Sequence, residues 1–278
     1  MRNHSYLANH FHQIRYLTAG GLADIFLANV KNSDQIVVIK KLKDIFRNDE
    51  KRWNKFRNEA VLQSCVNHPN VVRILDYFEI DGQQYIIQEY VEGITLWNLL
   101  QTSKKNHPDL VKSIGLQICC GVAAVHRSEI IHCDIKPLNF LITINHILKL
   151  TDFGEARKAV PADNSMDEEI VWGSPLYMSP ELSDGIYPKK TTDVYSIGII
   201  LYQIFVGKLP FFSNDAEEVI RMHHEMNASL PSDVNPPIHP YLEKIILKSI
   251  EKNPSNRFSD AEELLHEYER WAEHPVYP

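Results

Sequence analysis

The chain has 278 residues, 44% of them apolar, enough to bury one substantial core or two modest ones. Its formal net charge of −7 argues against nucleic-acid binding, which goes with a basic excess, and leaves basic peptides open as partners. The four cysteines, Cys65, Cys119, Cys120 and Cys133, make no C-x-x-C pair; they read as small buried hydrophobes in a reducing compartment rather than a zinc site or a disulfide framework.

Residues 1–10 lack the apolar core of a signal peptide, and no window reaches 18 uncharged apolar residues, so the expectation is a soluble, cytoplasmic chain with no membrane segment. Strands are expected over 25–30 and 35–40, joined by the polar turn Lys31-Asn32-Ser33-Asp34. A helix is expected over 50–66, where Trp53, Phe56, Ala60 and Val61 recur on one side, with Asn67-His68-Pro69-Asn70 stopping it. Strands follow over 71–78 and 84–90, split by Asp81-Gly82. After Glu92-Gly93 the texture turns helical, with helices expected over 109–127, 191–206, 215–227, 240–251 and 260–271. The apolar run 194–206 reads as a buried helix, and Ser259 with Glu262 makes a capping-box signature for the last helix. Residues 128–185 are irregular and rich in Asp, Asn, Gly and Pro; ordered loops of that length usually carry function. A strand-rich first third followed by helices predicts an α+β fold of two lobes meeting at residues 89–93.

The chemistry concentrates in His132-Cys133-Asp134-Ile135-Lys136-Pro137-Leu138-Asn139, followed by Asp152-Phe153-Gly154 eighteen residues after Asp134. Phosphoryl transfer needs metal ions on the phosphates, a base for the nucleophile and cations around the developing charge. Asp134 can accept a hydroxyl proton, Asn139 and Asp152 offer hard oxygen ligands for a cation, and Lys136 can approach a transferred phosphate.

On these residues the sequence resembles the eukaryotic-like serine/threonine protein kinase family over roughly residues 14–272. The resemblance implies one kinase domain over 1–278, with an N-lobe of about 11–91, a hinge at 89–93 and a C-lobe of about 92–272. It implies ATP and Mg2+, with Mn2+ as an alternative, and an unidentified protein substrate. Val37-Val38-Ile39-Lys40 matches the family's strand lysine, which binds the α- and β-phosphates and pairs with a helix glutamate; Glu59, nineteen residues on, matches that glutamate. The adenine ring is then expected on backbone groups of residues 89–91, here Glu89 and Val91 with Gln88 behind, between Ile25 and Val38 above and Leu141 below. Gly173-Ser174-Pro175-Leu176-Tyr177-Met178-Ser179-Pro180-Glu181 looks like the end of an activation segment, with Arg257 as partner for Glu181. Asp193 resembles the helix aspartate that holds the catalytic-loop backbone, and His132 is expected to support Phe153. Lys136 and Gly173-Ser174-Pro175 imply serine and threonine rather than tyrosine as acceptors. The compact activation segment and the last helix ending at Trp271 resemble bacterial members.

The chain departs from the family pattern in three places. The family's G-x-G-x-x-G-x-V is met by Thr18-Ala19-Gly20-Gly21-Leu22-Ala23-Asp24-Ile25, with only Gly20 on register, so a stiffer lid over a retained site is expected. Cys133 replaces the arginine that binds activation-loop phosphate in the family. Activity is therefore expected not to depend on loop phosphorylation at Ser165 or Ser174, in a loop made acidic by Asp163, Asp167, Glu168 and Glu169. Gln63 and Gln88 stand where the family puts apolar residues, and are expected to bond each other or nearby backbone. His223 and His224 read as solvent-facing. Two other readings are a pseudokinase, favoured by the eroded glycine loop and Cys133, and a small-molecule phosphotransferase. Against the first stands the full set Lys40, Glu59, Asp134, Asn139 and Asp152; against the second, Lys136 together with Ser179-Pro180-Glu181 and Arg257.

Overall fold

The structure is a computed structural model that describes residues 3–102, 108–159 and 174–273. The strand-rich lobe contains helix α1 (Asn3–His10), strands β1 (Phe11–Ala19), β2 (Ala23–Val30) and β3 (Ile36–Leu42), helix α2 (Glu50–Ser64), and strands β4 (Ile74–Ile80) and β5 (Gln83–Glu89). The five strands form one antiparallel sheet in the order β1-β2-β3-β5-β4. Alternation assigns the faces. Ile25 pairs with Lys40, Leu27 with Val38, and Val38 and Lys40 with Gln88 and Ile86, so these six residues share one face. Val37, Ile39, Tyr85 and Ile87 occupy the other, where Phe11 and Leu7 of α1 complete the cluster. Helix α2 is capped by Asp49, whose carboxylate accepts from the Arg52 N–H at 3.0 Å. It packs Phe56 and Ala60 onto Leu42, Ile86 and Ala23 of the first face.

The strand expected from residue 71 begins only at Ile74. Residues 70–72 are spent on the other lobe: Asn70 Nδ2 donates to Leu148 O at 2.7 Å, Leu150 N–H to Asn70 O at 2.8 Å, and Val72 N–H to Leu150 O at 2.8 Å.

After the sheet come β6 (Gly93–Thr95), α3 (Leu96–Thr102), α4 (Pro108–Arg127), β7 (Ile130–Ile131), β8 (Phe140–Thr143), β9 (Leu148–Leu150) and β10 (Arg157–Lys158). Gly93 lies so close to β8 that a Cβ there would stand 2.1 Å from Ile142 O, so the crossing between lobes needs a glycine. The helical lobe continues with α5 (Pro180–Ser183), α6 (Lys190–Val206), α7 (Ala216–Glu225), α8 (Pro231–Val234), α9 (Pro240–Ser249) and α10 (Ala261–Ala272). Helix α6 is apolar nearly all round and therefore central, as read for 194–206; it stops at Gly207, held in the left-handed region at φ 85°. By length and composition α4 could cross a membrane, which the sequence reading did not anticipate, but more than half of it is buried inside the structure.

Three expectations are corrected. Helix α10 is capped by Asp260, which accepts from the Glu262 and Glu263 N–H groups, while Glu263 accepts from the Ser259 N–H; the box sits one residue later than Ser259 and Glu262 suggested. Cys119 is buried, but Cys65 is exposed and Cys120 and Cys133 are only partly covered. His223 is buried, its Nδ1 2.7 Å from the Tyr195 hydroxyl and its ring packed on Phe211, so it does not face solvent. His224, half-buried, lies 2.7 Å from Ser183 Oγ.

Candidate active site

The roof of the cleft is the β1–β2 turn. Gly20 N–H donates to Ala23 O at 2.8 Å, and neither Gly20 nor Gly21 takes a left-handed backbone. Ala23, at the family's third glycine, opens β2 and is buried beside Leu42, Phe56 and Ile86, a packing position where a methyl group fits. Thr18 and Gly20 are exposed at the rim, Ile25 is partly covered, and Val38 is buried one strand deeper. Gln88 is buried on the same face; Val91 is nearly buried and Leu141 half-buried. The Gln63 amide donates to Val72 O at 2.7 Å, so the pair bond between Gln63 and Gln88 does not form and the backbone alternative holds for Gln63. The Oε1 atoms of both glutamines are buried without a hydrogen-bond partner among the described residues.

At the hinge, Glu89 N–H donates to Arg73 O at 3.0 Å, and its carboxylate accepts from Arg73 N–H and Lys149 Nζ, both at 2.8 Å. The Val91 N–H has no acceptor among the described residues, which leaves a backbone donor at a nearly buried position open to a ligand.

Lys40 on β3 reaches Glu59 on α2 at 2.5 Å, both buried. Burial alone would lower the Lys40 pKa, but the Glu59 and Asp152 carboxylates raise it above the ordinary lysine value. Burial alone would raise Asp152; Lys40 first, then His132, Lys136 and the Gly154 N–H hold it below the ordinary carboxylate value. Lys40 and Asp152, 112 positions apart in the chain, thus sit in one electrostatic site.

The catalytic loop is fixed from behind. Asp193 on α6 is fully buried; it accepts from His132 N–H at 2.7 Å, Cys133 N–H at 2.9 Å and His126 Nε2 at 3.0 Å. Ala261 N–H donates to His126 Nδ1 at 3.0 Å, which places the imidazole proton on Nε2. Cys133 has φ 64° and Asp152 φ 66°, left-handed values that non-glycine residues adopt at a cost of roughly 1–3 kcal/mol; the Asp193 bonds hold the first of them. His132 stacks edge-on against Phe153 at 4.8 Å, the support expected of it. Asp134 Oδ2 accepts from Lys136 Nζ at 2.6 Å and Asn139 Nδ2 at 2.9 Å, and Asn139 Nδ2 also reaches Asp134 O at 2.8 Å. Thr151 N–H donates to Asn139 O at 2.9 Å, bringing Asn139 beside the approach to Asp152.

The Asn139 amide nitrogen is committed to Asp134, which leaves Asn139 Oδ1 and the Asp152 carboxylate, besides Asp134 Oδ1, as hard oxygen groups of the site. No cluster of three or more acidic, histidine or cysteine ligands occurs among the described residues. That donor set fits a cation completed by phosphate oxygens better than one caged by protein alone.

Glu181, in the stretch expected to end the activation segment, has the buried partner expected of it. Arg257 Nη1 and Nη2 hold its two oxygens at 2.7 and 2.9 Å, and Thr192 Oγ1 donates to it at 3.1 Å. Gly173, Ser165, Asp163, Asp167, Glu168 and Glu169 lie outside the described residues. No sequence pattern pointed to His126 as partner of Asp193, to the Glu89–Lys149 pair, or to the contact between Lys55 and Glu155 at 2.5 Å. All are long-range pairings with no spacing rule. A hollow of about 400 Å³ on the outer side of the sheet, touching Val37, Arg73 and Ile87, reaches none of Lys40, Glu59, Asp134, Asn139 and Asp152.

A protein kinase domain model matches residues 11–269. The chain is 34% identical over 269 residues to a probable serine/threonine-protein kinase of Clostridium perfringens, covering 97% of this chain and 39% of that protein. It is 34% identical over 258 residues to serine/threonine-protein kinase PrkC of Bacillus subtilis (93% and 40%), and 31% identical over 269 residues to serine/threonine-protein kinase PknB of Mycolicibacterium smegmatis (95% and 43%). It spans about two-fifths of the length of these curated relatives. A match that runs through the sheet, the hinge and the helical lobe alike settles the family: the chain belongs to the protein kinases.

Proposed function

We propose that this chain transfers the γ-phosphate of ATP to serine and threonine hydroxyls of proteins. The observation that carries the reading is the Asp134 carboxylate. Its side chain is 11% exposed, Oδ2 is held by Lys136 and Asn139, and Oδ1 has no donor among the described residues. Oδ1 is thus positioned to accept the proton of an incoming hydroxyl, the one proton transfer the reaction needs. Lys136 sits 2.6 Å from that carboxylate as a point charge for the migrating phosphoryl group. Lys40 has two ammonium protons beyond the one it gives Glu59, and these orient the α- and β-phosphates. The Val91 N–H offers a donor to adenine, with Val38 and Leu141 as apolar walls.

Asn139 and Asp152 are the residues we assign to Mg2+, with Mn2+ as a substitute; when bound, the ion neutralises phosphate charge. Acceptor preference rests on Lys136 and on the relatives being named serine/threonine-protein kinases. We further propose that both lobes act as one catalytic domain with residues 89–93 as its hinge, and that four free thiols suit a reducing cytoplasm.

The test is incubation with γ-labelled ATP, Mg2+ and a basic protein, followed by acid hydrolysis. Label on phosphoserine and phosphothreonine is expected. Label confined to phosphotyrosine, or none in any fraction, would remove the proposal.

A further inference from the structure

We propose that the ion pair between Lys55 and Glu155 is a positioning latch, holding α2 in working register over the cleft with a carboxylate encoded in the sequence. The inference rests on the phosphotransfer reading and concerns how its site is held in place.

Lys55 and Glu59 stand one turn apart on α2, so their side chains share a face. Residues 152–155 run beside that face. Asp152 shares the field of Lys40 and Glu59. At Gly154 a Cβ would stand 3.8 Å from Glu59 Oε2 and 3.3 Å from Asp152 Oδ1. Glu155 Oε1 then meets Lys55 Nζ at 2.5 Å. Two rungs one turn apart, Glu59 to Lys40 and Lys55 to Glu155, fix both where α2 sits along its axis and how it is rotated. Phe56 and Ala60 also pack on the sheet, a non-directional contact that specifies register weakly, and two hydrogen bonds tie α2 to its own lobe, Gln63 Nε2 to Val72 O at 2.7 Å and Gln84 Nε2 to Trp53 O at 3.2 Å; neither reaches residues 152–155.

The position beside Asp134 supplies no cation to a phosphorylated loop, because Cys133 stands there, partly covered, with its thiol directed at Ile131 O. Glu155 is a fixed negative charge beside the helix and needs no modification to act. The Lys55 and Glu155 side chains are 30% and 26% exposed, so the latch is partly screened and contributes little to global stability.

The test uses the full chain with Lys55→Glu, Glu155→Lys and the charge-swapped double variant. Each single variant should lower kcat for a basic peptide about 5- to 30-fold, the span of a one- to two-kcal/mol bias, with little change in peptide KM. Each should also speed amide exchange across residues 50–64. The double variant should return both readouts to within about threefold of the parent, since restored charge complementarity is what the latch requires. Phosphatase-treated parent should keep its kcat. A double variant no better than the singles, or singles with parental kcat and parental exchange, would overturn the latch. If the parent transfers no phosphate at all, the phosphotransfer reading falls, and the exchange pattern of the three variants still decides the latch.

Discussion

Two buried ion pairs anchor this molecule, and they differ in what they leave undone. Arg257 has five N–H donors and uses all of them: Nη1 and Nη2 on Glu181, Nη1 also on Thr191 O, Nη2 on Lys252 O, and Nε on Glu251 O. Its guanidinium also lies 4.7 Å from the Tyr195 ring. Lys40 gives one of its three ammonium protons to Glu59 and makes no other hydrogen bond among the described residues. Both pairs are desolvated, a state that is expensive unless every charge is answered. The satisfied pair is structural. The half-satisfied pair keeps two ammonium donors, which the phosphate contact proposed for Lys40 requires.

The comparison can be broken in several ways, taken here from the largest expected effect to the smallest. Arg257→Met strands Glu181 and three carbonyls, and should destabilise the fold by about 3–5 kcal/mol, read as a lowered urea midpoint. A loss under about 1 kcal/mol would mean the five-bond set is not structural. Lys40→Met leaves only Glu59 without its cation, a carboxyl whose pKa burial already raises and which can take up a proton, so it should cost less stability, about 1–2 kcal/mol, while lowering kcat/KM for phosphotransfer about 10²- to 10³-fold. Equal stability losses in these two variants would erase the distinction between the pairs.

A third test addresses His223, buried against Tyr195 and Phe211. Burial, then the nearby Lys252 charge, lowers its pKa from 6.5 to about 3. Between those values the unfolded chain binds a proton that the folded chain refuses, so stability rises with pH there and falls as pH drops from 6.5 toward 3. His223→Gln should flatten the dependence of Tm on pH in that window; identical slopes would contradict the burial argument. The smallest effect concerns the last helix. Asp260→Ala should cost about 1 kcal/mol and Ser259→Ala much less, and the reverse order would restore the cap read from sequence.

The catalytic floor was legible in the sequence because phosphoryl transfer demands particular groups at fixed spacing. Asp134, Lys136, Asn139 and Asp152 could be named from one loop and one turn. The helical lobe was legible because its buried faces repeat every three to four residues. The start of β4 was not, because residues 71 and 72 read as strand but, with Asn70, lie against β9 in the other lobe, where Asn70 and Val72 bond to it. His223 was misread because a polar neighbour, His224, made the pair look like a solvent face; burial came from Tyr195 and Phe211, packed from elsewhere in the chain. The missing third glycine mattered less than the pattern implied, since Ala23 occupies a packed strand position and not a left-handed turn. Lys55 and Glu155, a hundred residues apart, left no local sign.

The most direct test of the account is a single-turnover comparison of the parent with Asp134→Asn, measuring Mg·ATP affinity and γ-phosphate transfer to a peptide on the same samples. Lys40, Asn139 and Asp152 remain in the variant, so affinity should stay within about threefold while transfer falls about 10²- to 10⁴-fold, the range for removing a general base. Transfer at the parental rate, or nucleotide affinity lost along with transfer, would contradict the role given to Asp134.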